Sequence, residues 1–99
     1  MTFARMVRIH STPDQRGAIE TLADNAYAIS KGHPGFISAT YMINEAETEY
    51  ASLTVWESRE KAEAAGAAIR EKHGEVMMQV STAPPDIEVF EIYQAADSA

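Results

Sequence analysis

Cysteine is absent from the 99 residues, which excludes disulfides, thiolate metal ligands and a cysteine nucleophile and leaves the redox compartment open. Positive charge is scarce. Eight Lys and Arg against fifteen Asp and Glu give a net charge of −7. The eight are scattered along the chain, so the basic stripe that a phosphate backbone requires is missing and nucleic acid is not an expected partner. The same acidity gives anionic membranes no purchase. No apolar run approaches membrane-spanning length, and Met1-Thr2-Phe3-Ala4-Arg5 lacks the basic segment and apolar run of a secretion signal. A soluble cytoplasmic protein is the expectation. No glycine-rich phosphate loop follows a strand, and no His-x-His or Glu-x-x-His pair occurs, so neither a nucleotide or flavin cofactor nor a metal site is expected.

What is present fits an ordinary globular chain, 45% hydrophobic and 23% charged. Residues 1–99 read as a single domain with a fraying tail from Gln94 to Ala99. At this size a partner subunit would add much of the buried surface.

The stretch from Gly35 to Ser58 organises the rest. It opens on a Pro34-Gly35 turn, runs through β-branched and aromatic residues to Ile43, crosses a polar tip at Asn44 to Thr48, and resumes from Glu49 to Trp56. This is an antiparallel hairpin. On its first strand Phe36, Ser38, Thr40 and Met42 are expected on one face, and Ile37, Ala39, Tyr41 and Ile43 on the other. On its second, Tyr50, Ser52, Thr54 and Trp56 oppose Ala51, Leu53 and Val55. No face is fully polar, so both sides of the sheet should be covered, one by helices and the other by a second copy of the sheet.

Phe3 to His10 reads as a strand, with Val7 and Ile9 on one face and Met6, Arg8 and His10 on the other. Thr12, Pro13 and Gln15 predict a capping box opening a helix, whose apolar stripe contains Ile19, Leu22 and Ala26. Gly32 is expected to end it as a left-handed cap. Ser58 should cap a second helix from Arg59 to about His73, with Ala62, Ala65, Gly66 and Ile69 inward and Gly74 as its stop. A connector from Glu75 to Asp86 then leads to a last strand, Ile87 to Tyr93. The order strand, helix, strand, strand, helix, strand predicts an α+β, ferredoxin-like fold, with a four-stranded antiparallel sheet and two helices on one face.

His-Pro-Gly-Phe at 33–36, Trp56-Glu57-Ser58, and the Ala-rich helix reaching Lys72-His73-Gly74 resemble the antibiotic biosynthesis monooxygenase family of dimeric α/β barrels. Thr12-Pro13 fits that family's first strand-to-helix turn. The resemblance implies a homodimeric α/β barrel joined through the sheet face. It also implies a cofactor-independent monooxygenase acting on a small aromatic or polyketide-like compound. The family's haem-degrading branch uses an Asn, a Trp and a His. Their positions fall on or beside Arg8, near Ala65 and next to His73, so two of the three groups are absent. Haem binding through His73 alone stays as an alternative, and a non-catalytic dimer that binds a small ligand is another.

His73, expected on the inner face of the second helix, is the candidate base or ligand, although a C-terminal His also suits the helix dipole. Arg8 is the candidate anion stabiliser if its strand face meets the helices, with His10 beside it. Ser38, Thr40, Tyr27 and Trp56 are candidates for lining a substrate pocket, although Trp56 also reads as a packing residue at the strand end. Ser52, Thr54, Tyr41, Tyr50 and Tyr93 are further residues that could contribute. His33 belongs to a turn.

Overall fold

The computed structural model describes residues 1–96. Strand β1 (Phe3–His10) is followed by a short 3-10 turn (Pro13–Gln15) running into helix α1 (Arg16–Lys31). The hairpin of β2 (Phe36–Ile43) and β3 (Glu49–Trp56), helix α2 (Arg59–Val80) and β4 (Asp86–Glu91) complete the chain. The four strands form one antiparallel sheet in the order β2-β3-β1-β4. This is the ferredoxin-like arrangement expected from the element order. At 42 × 29 × 19 Å the molecule is one sheet and one helix layer thick.

Strand register fixes the two faces. Phe3, Arg5, Val7 and Ile9 of β1 lie beside Trp56, Thr54, Ser52 and Tyr50 of β3, under the helices. Val7, Ile9, Ile19, Leu22, Tyr50 and Val80 make one core cluster, and Trp56, Ala62 and Ala65 make a second against Phe36. Ala62 and Ala65 are small enough to bring α2 close to the sheet. The opposite face carries Ala4, Met6, Arg8 and His10 beside Val55, Leu53, Ala51 and Glu49, and no helix covers it.

Several local features depart from expectation. A bulge between Phe36 and Ser38 gives β2 an extra residue, which turns Phe36 onto the helix face together with Ala39, Tyr41 and Ile43. Phe36 there meets Trp56 edge to face at 5.5 Å between ring centroids. Thr12 makes no side-chain cap, because the chain enters α1 through the 3-10 turn, where the Gln15 amide donates to the Thr12 carbonyl at 3.0 Å. Gly32 is right-handed at φ −85°, and the positive φ of this turn falls at Gly35, +86°. Helix α2 does not stop at Gly74 but continues to Val80, and β4 ends at Glu91, short of Tyr93. Ser58 does cap α2, its hydroxyl accepting from the Lys61 amide at 3.2 Å. At the hairpin tip Asn44 Oδ1 accepts from the amides of Thr48 and Glu49, both at 2.9 Å. The tail expected to fray falls partly at 97–99, outside the described residues.

Candidate active site

Helix α1 lies across the sheet with Ile19, Leu22 and Ser30 buried beneath it. Because its inner positions thin to Ala23 and Ala26, the layers do not close completely. A cavity of about 300 Å³ remains, within the usual range of small-molecule sites. Val7, Ile9 and Ile43 give it apolar walls from the sheet, and Ile69 and Met77 of α2 close one end. Its polar groups are Arg5, Ser30, Ser52, Thr54 and the tyrosines 27, 41 and 50, with Glu20 and Asp24 on the α1 side.

Arg5 is the unusual member. It is 8% exposed, and it occupies the second position of an otherwise apolar row, Phe3, Arg5, Val7, Ile9. It makes no salt bridge with any described carboxylate. Burial, and then the nearby Arg70, push its pKa below the usual arginine value. The guanidinium fits because Gly66 stands above it: a Cβ there would fall 2.5 Å from Nε and 2.7 Å from Cζ. A buried, uncompensated cation is costly, and an anion placed in contact with it regains much of that cost.

Not every polar group is free to meet a ligand. Thr54 Oγ1 accepts from Trp56 Nε1 at 2.8 Å, and the Tyr50 hydroxyl donates to the Glu47 carbonyl at 3.2 Å. Ser30 Oγ is buried without a partner. Tyr27 stands edge to face with both Tyr41 and Phe36, at 6.4 and 6.1 Å. Burial first, then Tyr27 and Asp24, raise the Tyr41 pKa, which keeps its phenol protonated and able to donate.

The residues singled out from sequence divide sharply. Tyr27 lines the cavity. Trp56 sits next to it in the core, 1% exposed, holding Thr54 in place. Arg8 and His10 are exposed on the uncovered face, where Arg8 Nη2 pairs with Glu49 Oε2 at 3.1 Å, so the condition for their role, a face meeting the helices, is not met. Ser38 and Thr40 share that uncovered face. His73 is half-buried in the middle of α2 and does not border the cavity. With the helix continuing beyond it, the dipole argument for a C-terminal His no longer applies. None of the chain's three histidines lines the cavity, so it offers no imidazole to a haem iron. Among the described residues no cluster of three His, Asp or Glu side chains could hold a metal ion, and no helix is long and apolar enough to cross a membrane.

The family model for antibiotic biosynthesis monooxygenases matches residues 2–68, the segment that carries β1, α1, the hairpin and the start of α2. The chain belongs to this family. No curated protein matches it in sequence. Among solved structures this family member is similar to Rv0793 from Mycobacterium tuberculosis, with TM-score 0.82 at 18% identity over 98% of this chain and 100% of the other. It is also similar to SnoaB, a cofactor-independent oxygenase from Streptomyces nogalater, with TM-score 0.72 and 20% identity over 97% and 95% of the two chains. A third likeness is to the ActVA-Orf6 monooxygenase of Streptomyces coelicolor in complex with nanaomycin D, with TM-score 0.76 and 21% identity over 94% and 88%. At these identities the structural likenesses establish the fold of the monooxygenase family and leave the reaction to be argued from the site.

Proposed function

We propose that this family member is a cofactor-independent monooxygenase that oxidises a small phenolic aromatic or polyketide-like compound in the cavity beneath α1, working as a homodimer. The observation that carries the reading is the buried, unpaired Arg5 at a largely apolar cavity that also presents the free hydroxyl of Tyr41. SnoaB and ActVA-Orf6, similar in fold, support the reaction class. A phenol has an apolar body and one ionisable oxygen. Arg5 would stabilise that oxygen as phenolate, with Tyr41 donating to it, and Asp24 at the cavity wall would receive the proton. The sequence assigned these roles to Arg8 and His73. We move them to Arg5 and Asp24 because these border the cavity.

The electron-rich phenolate passes electrons to O2, and a ring C–O bond forms to a peroxide. Loss of the ring C–H proton with cleavage of the O–O bond leaves a quinone carbonyl and water, O2 being the oxidant. The protein's part is to hold the anion and exclude bulk water.

The test is oxygen uptake with a panel of naphthols and anthrones, with 18O2 to trace label into the quinone. Conversion by the native chain and its loss in Arg5→Gln would support the reading. Binding without conversion would support the second reading, a non-catalytic ligand-binding dimer. One observation favours that reading: the cavity's free polar groups are mainly donors, and its carboxylates, Glu20 and Asp24, are on exposed residues.

A further inference from the structure

A second cleft, of about 420 Å³, lies on the other side of Arg5, between α2 and the edge strand β4. It is lined by Arg5, Arg59 and Arg70, three of the chain's five arginines. In a chain of net charge −7 this is a concentration of the rarer sign. None of the three forms a salt bridge with a described carboxylate, and Arg5 is more than nine-tenths buried. Two carboxylates border the cleft. Glu63 is exposed on α2, and Glu88 pairs in register with Met6, so its side chain belongs to the opposite face of the sheet. Ile87 and Val89 point in the cleft's direction instead, giving it an apolar wall.

From this geometry we infer a binding site for a small oxyanion, a phosphate or a carboxylate, in the cleft between α2 and β4, held by Arg59 and Arg70 at the surface and Arg5 at depth. Guanidinium forks match both oxyanions with paired N–H donors. An anion here supplies the countercharge that Arg5 lacks within the chain, and it relieves the repulsion between Arg5 and Arg70. Gly66 contributes by leaving the guanidinium accessible from the cleft, since any side chain there would displace it.

Inorganic phosphate and succinate, titrated separately at fixed ionic strength, should each be followed by calorimetry and by the thermal unfolding midpoint. A saturable rise with at least one of them is expected, and whichever anion acts at lower concentration names the class. Arg59→Gln/Arg70→Gln changes two exposed side chains, so the fold should be retained, as circular dichroism would check. This variant should lose at least tenfold in affinity, and Glu63→Gln should gain several-fold. No saturable response in the native chain, or an unchanged response in the double variant, would overturn the inference. Neither result depends on whether the chain oxidises a phenol.

Discussion

Arg5 and Gly66 act as one unit, and the pair yields a prediction that separates site from stability. Gly66→Ala replaces a helix-interior glycine, which by propensity alone stabilises by about 0.5–1 kcal/mol. Its new methyl would collide with the Arg5 guanidinium, the far end of a flexible side chain that can swing away. The melting temperature should therefore change little, while binding of a phenolic ligand falls about tenfold or more, a shift that titration calorimetry would read. Tyr41 carries a pH prediction. Its phenol is held above the ordinary value near 10, so the folded state keeps the proton longer than the unfolded chain does. The resulting stability is fully present below about pH 10 and is lost as pH rises through the folded pKa, because there the native state binds more protons than the unfolded one. Denaturant unfolding between pH 9 and 11 should show a steeper loss for the native chain than for Tyr41→Phe. Arg5 was not singled out from the sequence; the signal that could have found it is a charge in register with Val7 and Ile9. The alternation that placed Arg8 and His10 together on one face was right, but a lone strand cannot say which of its faces the helices will cover.

The elements were readable wherever local chemistry and burial agree. Ser58 before Arg59 marked a true helix start, and Asn44 to Thr48 a true hairpin tip. The misreadings came where a local signal competed with a longer-range gain. Gly74 looks like a stop, yet Met77 and Val80 beyond it fall on the stripe begun by Ile69 and extend the core, which outweighs one glycine's backbone entropy. Gly74→Ala should in consequence stabilise by about 0.5–1 kcal/mol, since the added methyl meets only the Arg70 side chain, Cγ at 3.2 Å and Cβ at 3.9 Å, on an exposed residue whose side chain can shift. In a chain of this size that is a rise of a few degrees in thermal midpoint, and a fall would mean that the helix is broken there. The bulge at Phe36 was invisible for a different reason: strict alternation has no term for an extra residue. Its consequence is large, because it brings the Phe36 ring against Trp56 and Tyr27, where it braces the cavity wall.

The molecule as a whole has one face that the chain itself leaves uncovered. Met6, Leu53 and Val55 lie there, with Met42 and Phe90 alongside them. Met42 and Phe90 are 42% and 44% exposed, and a contiguous apolar surface of this kind is what a second sheet would cover. Leu53 is at the middle of it, between Met6 of β1 and Thr40 of β2. Leu53→Glu leaves the helix-side core untouched, so the chain should still fold, but it places a charge where two sheets would meet. An unpaired charge buried at an interface costs about 3 kcal/mol or more, so dimer affinity should fall at least about a hundredfold. Two copies that each carry −7 also repel one another, and added salt screens that repulsion. Sedimentation of the native chain should accordingly show a dimer that tightens as ionic strength rises, with Leu53→Glu sedimenting as a monomer at the same concentration. A native chain that is monomeric at tens of micromolar, or a dimer unaffected by the glutamate, would place the contact elsewhere and leave the apolar face without an occupant.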